Sequence, residues 1–305
     1  MAPYTTAQPA LGWCIVGRGA IGLLASARLQ LAGYPTRLWL KQPGKLQLNF
    51  TDIQQQNKQL CLLPQQIDNP VQRLLLPVKA YDVGNAVVQL IPYLADNAQL
   101  VISHNGIVPF QPLLEKLKPE QGLWFLSTSQ AAYKPAPDHV IHSGTGSSYL
   151  AKLTAASRED HDIVAAMTVA LGPLTVVADI YPLLWQKLAI NVAINPLTAI
   201  ENCQNGQLAA PRYQPQIEAL VSEVCQVATA SGYPMNVAAS LAKVHQVIAA
   251  TTNNFSSMQQ DVQAGRQTEI DAICGYVCQQ AAQLQITAPA NKQMLMRIRA
   301  LTTAT

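Results

Sequence analysis

A glycine-rich turn between a strand and a helix constrains this sequence more than any other feature. The apolar run Trp13–Val16 leads directly into Gly17-Arg18-Gly19-Ala20-Ile21-Gly22, and the helical pattern of Leu23–Leu31 follows at once. Glycines at this spacing let the backbone turn tightly and approach a pyrophosphate, which binds the free N–H groups of the helix N-terminus. This context predicts a dinucleotide-binding Rossmann domain, with an ordinary glycine-rich turn as the alternative.

The residue after the second predicted strand, Thr36–Leu40, discriminates between NAD and NADP. An acidic side chain at this position would accept hydrogen bonds from the adenosine ribose and repel a 2′-phosphate. Lys41 stands there instead, and no Asp or Glu occurs between the glycine turn and this lysine, so the sequence favours NADP(H). Arg18 could add positive charge or simply be solvated. Lys79, after the predicted strand Leu74–Val78, could bind the cofactor at the carboxyl edge of the sheet or be a surface lysine.

Short apolar runs alternate with helical segments as far as about Ala178, which predicts a mostly parallel sheet covered by helices. Further predicted strands are Leu100–Ser103, Leu123–Ser127, Val140–His142 and Leu174–Val177. After Asp179 the strand signals end, and helical periodicity marks Ile217–Ala230, Val237–Thr251 and Ile270–Leu284. We therefore predict an α/β N-terminal Rossmann-type domain over residues 1–179, which binds NADP, followed by an all-α C-terminal domain over residues 180–305, which binds substrate. The glutamine-rich segment Gln54–Gln66 is predicted to be a surface loop.

Composition narrows the class of partner. Basic residues number 20 and acidic residues 17, and the basic ones are scattered singly, so we expect a small-molecule substrate and neither nucleic acid nor a membrane. The apolar run Ile163–Ala178 is too short to span a membrane, and its Gly172-Pro173 pair indicates a helix, a turn and a strand. The six cysteines include no CxxC pair, which predicts reduced thiols, no metal site and a cytoplasmic location. The residues before Trp13 lack the basic start of a signal peptide and are predicted to be a short irregular tail.

A polar stripe on one apolar helix is the best candidate for the chemistry. Lys187, Asn191 and Asn195 are four residues apart in the otherwise apolar segment Trp185–Ile200, so a helix would place their side chains on one face. Pro196 removes a backbone donor from that helix and is expected to kink it. The alternative is a lysine that extends to solvent at a domain boundary, beside structural asparagines.

This combination of residues suits the reduction of a carbonyl group. A carbonyl that accepts hydride develops negative charge on its oxygen, and a lysine can both stabilise that charge and deliver a proton. Partial burial would lower the lysine pKa toward the working range, and a nearby carboxylate would hold the ammonium in place. Glu269 is the candidate carboxylate, although Thr268-Glu269-Ile270-Asp271 also matches a helix capping box.

Several motifs together resemble the ketopantoate reductase family. Besides the glycine turn, they are His104-Asn105-Gly106, the segment Lys187–Ile200 with Asn202-Cys203 and Asn205-Gly206 after it, Ser256-Ser257-Met258 with Asp261, and Thr268–Asp271. The resemblance extends from Trp13 to about Pro289. It implies NADPH-dependent reduction of 2-dehydropantoate (ketopantoate) to pantoate in pantothenate biosynthesis, by a monomer or a homodimer.

The resemblance also implies a role for each matching residue. Lys187 matches the family's general acid, and Glu269 matches a glutamate that contacts this lysine and the cofactor. Asn105 matches an asparagine placed between the nicotinamide ribose and the substrate, and Ala132 matches a backbone contact to the nicotinamide. Lys41 and Lys79 match basic positions near the adenosine phosphate and the cofactor cleft. The positions that hold the substrate's carboxylate and hydroxyl groups are matched by Asn191, Asn195, Asn205 and Ser257.

Two departures and two rival functions stay open. Gln130 stands where the family pattern has histidine, and Lys41 stands where some relatives have arginine, which weakens the expected discrimination of a phosphate. Ser257 could instead cap a helix, with Gln260 completing a capping box. One rival function is NADP-dependent reduction of a different small 2-oxo acid. The other is the sensing of NADP by a regulatory protein that has lost catalytic activity.

Overall fold

Parallel strands form the centre of the N-terminal sheet, as the sequence predicts. The computed structural model describes residues 12–66, 68–156 and 161–303, so most of the predicted N-terminal tail lies outside the described residues. The strands are β1 (Trp13–Val16), β2 (Thr36–Trp39), β3 (Leu46–Thr51), β4 (Asn57–Pro64), β5 (Val71–Leu76), β6 (Leu94–Ile102), β7 (Gly122–Thr128), β8 (Ala131–Ala136), β9 (His139–Gly144), β10 (Ser148–Lys152) and β11 (Leu174–Val177). They hydrogen-bond in the order β11-β10-β7-β6-β5-β1-β2-β4-β3-β9-β8. β2, β1, β5, β6 and β7 run parallel.

The helices described alongside these strands are α1 (Ala20–Leu31), α2 (Ala80–Leu90), α3 (Gln111–Leu114) and α4 (His161–Leu171). Helix α1 packs against α4, and its Leu23 and Leu24 join Ile15, Trp124 and Met167 in one buried core. Burying each large apolar side chain contributes roughly 1.5–3 kcal/mol. The glycine turn before α1 is therefore held between two well-packed elements. The predicted helix, turn and strand over Ile163–Ala178 are confirmed by α4 and β11.

The loop predicted for Gln54–Gln66 is wrong, because β4 occupies most of this segment. β4 pairs antiparallel with β3 and parallel with β2. The turn before it is closed by Asp52, whose Oδ1 accepts the N–H groups of Gln54 and Gln56 at 2.9 Å each. The glutamines that suggested a loop are tolerated because much of β4 is exposed, while Leu62 is fully buried.

The second half of the chain is helical, which confirms the predicted all-α class. Its helices are α5 (Tyr181–Glu201), α6 (Gln214–Ala230), α7 (Val237–Ala250), α8 (Ser257–Gln263), α9 (Tyr276–Gln283) and α10 (Pro289–Thr303). Helix α5 is central, since α6, α7, α8 and α10 all pack against it. None of the helices described is both long enough and apolar enough to cross a membrane. All six cysteines lie in the described residues and are unpaired.

The chain divides into two compact units, and one short segment lies out of sequence order. The first unit runs as far as His104 and resumes over Phe110–Ile180. The second unit begins at Tyr181 and also includes Asn105–Pro109, which follows β6 along the chain. The division into residues 1–179 and 180–305 did not anticipate this separate segment.

Candidate active site

Two positions of the turn after β1 favour glycine. Gly17 has a φ of +87°, a left-handed conformation that favours glycine, and its N–H donates to the carbonyl oxygen of Trp39 at 2.9 Å. A Cβ on Gly22 would lie only 3.1 Å from Cγ of Pro77, so the absence of a side chain lets α1 approach the loop after β5. Gly19 is the N-cap of α1, and no acidic residue occupies the first turn of that helix. The free N–H groups at this helix end can therefore bind an anion.

Three basic residues follow adjacent strands at the edge that carries the glycine turn. Arg18 belongs to the turn itself, Lys41 lies two residues beyond β2, and Lys79 is the N-cap of α2, three residues beyond β5. Because β2, β1 and β5 are neighbours and parallel, all three positions lie at their carboxyl edge, where ligands of such sheets bind. Arg18 and Lys41 are exposed and Lys79 is half-buried. A glycine turn with open donors and nearby cations fits a phosphorylated dinucleotide.

Gln130, one of the two departures from the family pattern, has a structural role inside the first unit. Its buried amide Nε2 donates to the carbonyl oxygens of Gly146 at 2.6 Å and Gly172 at 2.9 Å. Its Oε1 lies 2.8 Å from Nε2 of His142, whose pKa is lowered chiefly by burial. Gln130 thus joins three chain segments. Nearby Ala132 lies in β8, pairs with His142 of β9, and is half-buried against the core of this unit.

In the second unit, the predicted polar stripe lies on α5. Lys187, Asn191 and Asn195 occupy successive turns of this helix; the first two are half-buried and Asn195 is buried, with 8% of its surface exposed. The adjacent side chains of Leu188 and Val192 are buried in the core of this unit. α5 continues through Pro196, and the kink expected at this proline stays a prediction. The stripe is therefore a polar strip on an otherwise buried helix.

Lys187 has the electrostatic character of a residue that exchanges protons. Burial removes water from its ammonium group and lowers its pKa from 10.5 to about 8. The negative charge of Glu269 acts in the opposite direction and favours the ammonium form. The structure thus brings together the lysine and the carboxylate that the sequence suggested as partners. A lysine with this pKa is much closer to neutrality than an ordinary surface lysine.

Asn105 supplies two hydrogen bonds to the carboxylate of Glu269. The backbone N–H of Asn105 donates to Oε1 at 3.3 Å, and its side-chain Nδ2 donates to Oε2 at 3.2 Å. Glu269 is only 5% exposed, and hydrogen-bond donors and a nearby cation offset the loss of water around a buried carboxylate. Lys187, Glu269 and Asn105 therefore form one connected group, assembled from three distant parts of the sequence.

The segment that carries Asn105 is fixed against a π-helical turn, Asp271–Gly275. The N–H of Ile107 donates to the carbonyl oxygen of Ala272 at 2.9 Å. Gly106 has a φ of +72°, and a Cβ there would overlap the carbonyl of Ala272. The π turn is closed by the N–H of Gly275, which donates to the carbonyl of Ile270 at 3.0 Å. Turns of this kind often occur at functional sites, and no sequence pattern signals this one.

The capping box proposed for Thr268–Asp271 is not formed. Ile270 is the N-cap of the π turn, and no side chain accepts a capping hydrogen bond there. The Thr268 hydroxyl accepts the N–H of Ile270 at 3.4 Å, and the Asp271 carboxylate pairs with Arg299. Glu269 precedes the helical turn and uses its carboxylate for Asn105. The capping interpretation of Glu269 is therefore wrong.

The capping interpretation of Ser257 is also wrong, since Ser256 is the N-cap of α8. The Ser256 hydroxyl accepts the N–H of Gln259 at 3.0 Å and lies 2.7 Å from the hydroxyl of Thr198 on α5. Ser257 is the first residue of α8, and its side chain is exposed. No sequence pattern indicates the buried contact between Thr198 and Ser256. It joins the start of α8 to the helix that carries the polar stripe.

Asn205 has partners within the second unit. Its N–H donates to the carbonyl of Asn254 at 2.9 Å, and its Nδ2 donates to the hydroxyl of Thr251 at 2.9 Å. The next residue, Gly206, donates its N–H to the carbonyl of Thr252 at 3.0 Å. Asn205 thus fixes the turn between α7 and Phe255, just before the two serines. A direct substrate contact by Asn205 stays a prediction.

Comparison with known protein families finds matches along most of the chain. The family described as "Ketopantoate reductase PanE/ApbA" matches residues 13–155, and the family described as "Ketopantoate reductase PanE/ApbA C terminal" matches residues 179–302. The 2-dehydropantoate 2-reductase of Vibrio cholerae serotype O1 is 36% identical over 289 residues, which cover 94% of this chain and 96% of that protein.

Solved structures show the same fold at lower identity. A PanE/ApbA family ketopantoate reductase from Ralstonia eutropha JMP134 superposes with a TM-score of 0.85 at 23% identity, over 96% of this chain and 99% of that one. A D-mandelate dehydrogenase in a ternary structure with NADH and anilino(oxo)acetate superposes with a TM-score of 0.84 at 19% identity, with the same coverage. Both of these proteins therefore share the fold of this chain.

Proposed function

Since this chain belongs to the ketopantoate reductase family, we propose that it reduces 2-dehydropantoate to pantoate with NADPH, in pantothenate biosynthesis. The observation that carries the proposal is the connected group of Lys187, Glu269 and Asn105, on the unit that also bears the α5 asparagines. The family relationship supports the reaction. The geometry supports the assignment of roles to individual side chains.

The proposed cofactor site lies on the first unit. The turn Gly17–Gly22 binds the pyrophosphate through its free N–H groups, and Lys41 binds the 2′-phosphate. Lys79 adds positive charge in the cofactor cleft, and Ala132 makes a backbone contact to the nicotinamide. NADPH supplies the hydride when it is bound.

Lys187 is the proposed general acid. As the substrate carbonyl becomes an alkoxide, an ammonium group stabilises the growing negative charge and then donates the proton that completes the alcohol. A pKa of about 8 suits this task, because the group is mostly protonated at neutral pH and still releases its proton readily. Glu269 keeps the ammonium charged and positioned, and Asn105 orients Glu269 through its two hydrogen bonds.

The remaining polar groups are proposed to bind the substrate. Asn191, Asn195 and Ser257 provide donors for the carboxylate and the terminal hydroxyl, and Asn205 supports the turn before Ser257 or contacts the substrate itself. These side chains provide more hydrogen-bond donors than a 2-oxo acid without a hydroxyl group can use. That surplus favours 2-dehydropantoate over simpler substrates. A monomer and a homodimer both stay compatible with this proposal, and the cytoplasmic location stays a prediction.

A panel of 2-oxo acids tests the substrate directly, with NADPH oxidation followed by absorbance. We expect the highest kcat/KM with 2-dehydropantoate and a value roughly tenfold or more lower with trimethylpyruvate, which lacks only the hydroxyl group, because hydrogen-bond donors that the bound substrate covers without pairing them destabilise the complex. Benzoylformate represents the mandelate type of substrate. Equal or faster turnover of trimethylpyruvate or benzoylformate would assign a different substrate, and no oxidation with any acid would favour the cofactor-sensing function.

Lys41 is expected to determine the preference for NADPH. In the Lys41→Glu variant, attraction for the 2′-phosphate becomes repulsion, so the ratio of kcat/KM with NADPH to that with NADH should fall by about tenfold or more. Added salt should reduce the difference, since Lys41 is exposed. Lys45→Glu, a nearby charge reversal after the same strand, is the control. If both variants change the ratio equally, Lys41 does not specifically bind the 2′-phosphate.

A further inference from the structure

A lysine from a distant strand reaches the glycine turn. Nζ of Lys134 on β8 donates a hydrogen bond to the carbonyl oxygen of Arg18 at 2.9 Å. β8 packs against α1, so the strand brings this side chain beside the turn although 116 positions separate the two residues. Lys134 stands in no sequence motif that points to the cofactor.

This hydrogen bond fixes the peptide group between Arg18 and Gly19. In a planar trans peptide the C=O and the N–H point in opposite directions. With the Arg18 carbonyl held by Lys134, the N–H of Gly19 faces away from that ammonium. Within the part of the chain that the structure describes, this N–H has no hydrogen-bond acceptor. It therefore adds to the free donors at the start of α1, whose N-cap is Gly19.

Two positive charges also converge at the turn. Burial, and then the nearby charge of Arg18, lower the pKa of Lys134. Among the described residues neither cation forms an ion pair with a carboxylate, and the first turn of α1 contains no acidic residue. An anion bound at the turn would relieve this repulsion, which makes the pair of cations a complement to a phosphate group.

We propose that Lys134 is a cofactor-binding residue that strengthens the binding of the pyrophosphate. Its hydrogen bond holds the Arg18–Gly19 peptide with the N–H available to the phosphate oxygens, and its charge supplements that of Arg18. The proposal rests on the proposed function, because it requires the turn to bind NADPH. Since NADPH and NADH share the pyrophosphate, Lys134 strengthens the binding of both, whereas Lys41 distinguishes them.

The test measures dissociation constants for NADPH and NADH by fluorescence titration of the full chain at low and moderate salt. Lys134→Met is expected to weaken both cofactors about tenfold and to reduce the salt dependence of binding, while their ratio changes less than twofold. Lys134→Arg keeps a cationic donor and should stay within about threefold of the parent. Lys116→Met is the matched control, because Lys116 is exposed and precedes β7, toward the opposite edge of the strands.

Thermal unfolding without cofactor checks that each variant is folded, and Lys134→Gln replaces Lys134→Met if the apolar side chain prevents folding. The inference is overturned if a neutral residue at 134 binds both cofactors within twofold of the parent, or if Lys134→Arg weakens binding as much as Lys134→Met. A parent chain that fails to bind NADPH would instead overturn the proposed function. These two failures are therefore distinguishable.

Discussion

Replacing Lys187 with alanine is expected to lower kcat by about 10²–10⁴-fold, because the substitution removes both the charge that stabilises the oxyanion and the proton donor. NADPH should still bind, as its main contacts are proposed to lie in the glycine turn. The measurements are steady-state kinetics with 2-dehydropantoate and a separate fluorescence titration with NADPH. Lys243→Ala, on the exposed surface of α7, is the control and should keep the parent's kcat.

The pH profile separates proton donation from simple electrostatics. With a Lys187 pKa of about 8, the parent's kcat/KM for reduction should fall as the pH rises above this value, because the ammonium form is lost. The reverse oxidation of pantoate should rise over the same range, since it needs the neutral amine. Lys187→Arg keeps a positive charge but scarcely releases its proton, so it should bind substrate and turn over slowly without this titration. Near-parental turnover in either variant would remove Lys187 from the general-acid role.

Substituting Gly106 with alanine is expected to lower kcat/KM by about 10²-fold through displacement of Asn105. A left-handed alanine costs roughly 1–2 kcal/mol by itself. At this position the new Cβ would also overlap the carbonyl of Ala272, so the backbone must move. That movement breaks the hydrogen bond from Ile107 and pulls both Asn105 donors away from Glu269. Misplacement of such groups by about 1 Å can reduce rates about 10²-fold.

Gly232→Ala is the matched control for Gly106→Ala. Gly232 also has a left-handed φ, +90°, but a Cβ there would meet no atom of the described residues within 4 Å. It should therefore lose only the backbone term, roughly 1–2 kcal/mol of the free energy of unfolding, with little change in kcat/KM. The proposed role of the segment fails if the two alanine variants have the same kinetics. It also fails if Gly106→Ala lowers the melting temperature but leaves the parental pH profile and rate.

The strands and helices that the sequence predicted are those with strong local patterns. The apolar run before the glycines and the apolar α5 segment each indicate one structure, because hardly any other arrangement would bury them. The hairpin of β3 and β4 was missed because exposed glutamines obscure the alternation of a half-buried strand. β8 and β10 gave no clear signal either. Their places depend on pairing with β9 and β7, which are not local properties.

The candidate site was predictable where one helix carries it and less so where contacts cross the sequence. The spacing of Lys187, Asn191 and Asn195 was sufficient to place them on one face of α5. The cap at Ser256 was misassigned by one residue, because its position depends on a contact with Thr198 on another helix. The sequence left a capping box open as the alternative role of Glu269, whose carboxylate binds a segment more than 160 residues earlier in the chain.

The displaced segment Asn105–Pro109 limits how this enzyme can exchange parts with its relatives. Recombining two homologous genes at one crossover near residue 180 would combine the asparagine of one parent with the glutamate and the π turn of the other. The hydrogen bond between Ile107 and Ala272 would then have to form between segments that come from different parents. A chimera in which residues 105–109 and the π turn come from the same parent needs additional crossovers on both sides of residues 105–109. A chimera therefore keeps the internal contacts of the helical unit only when residues 105–109 come from the same parent as that unit.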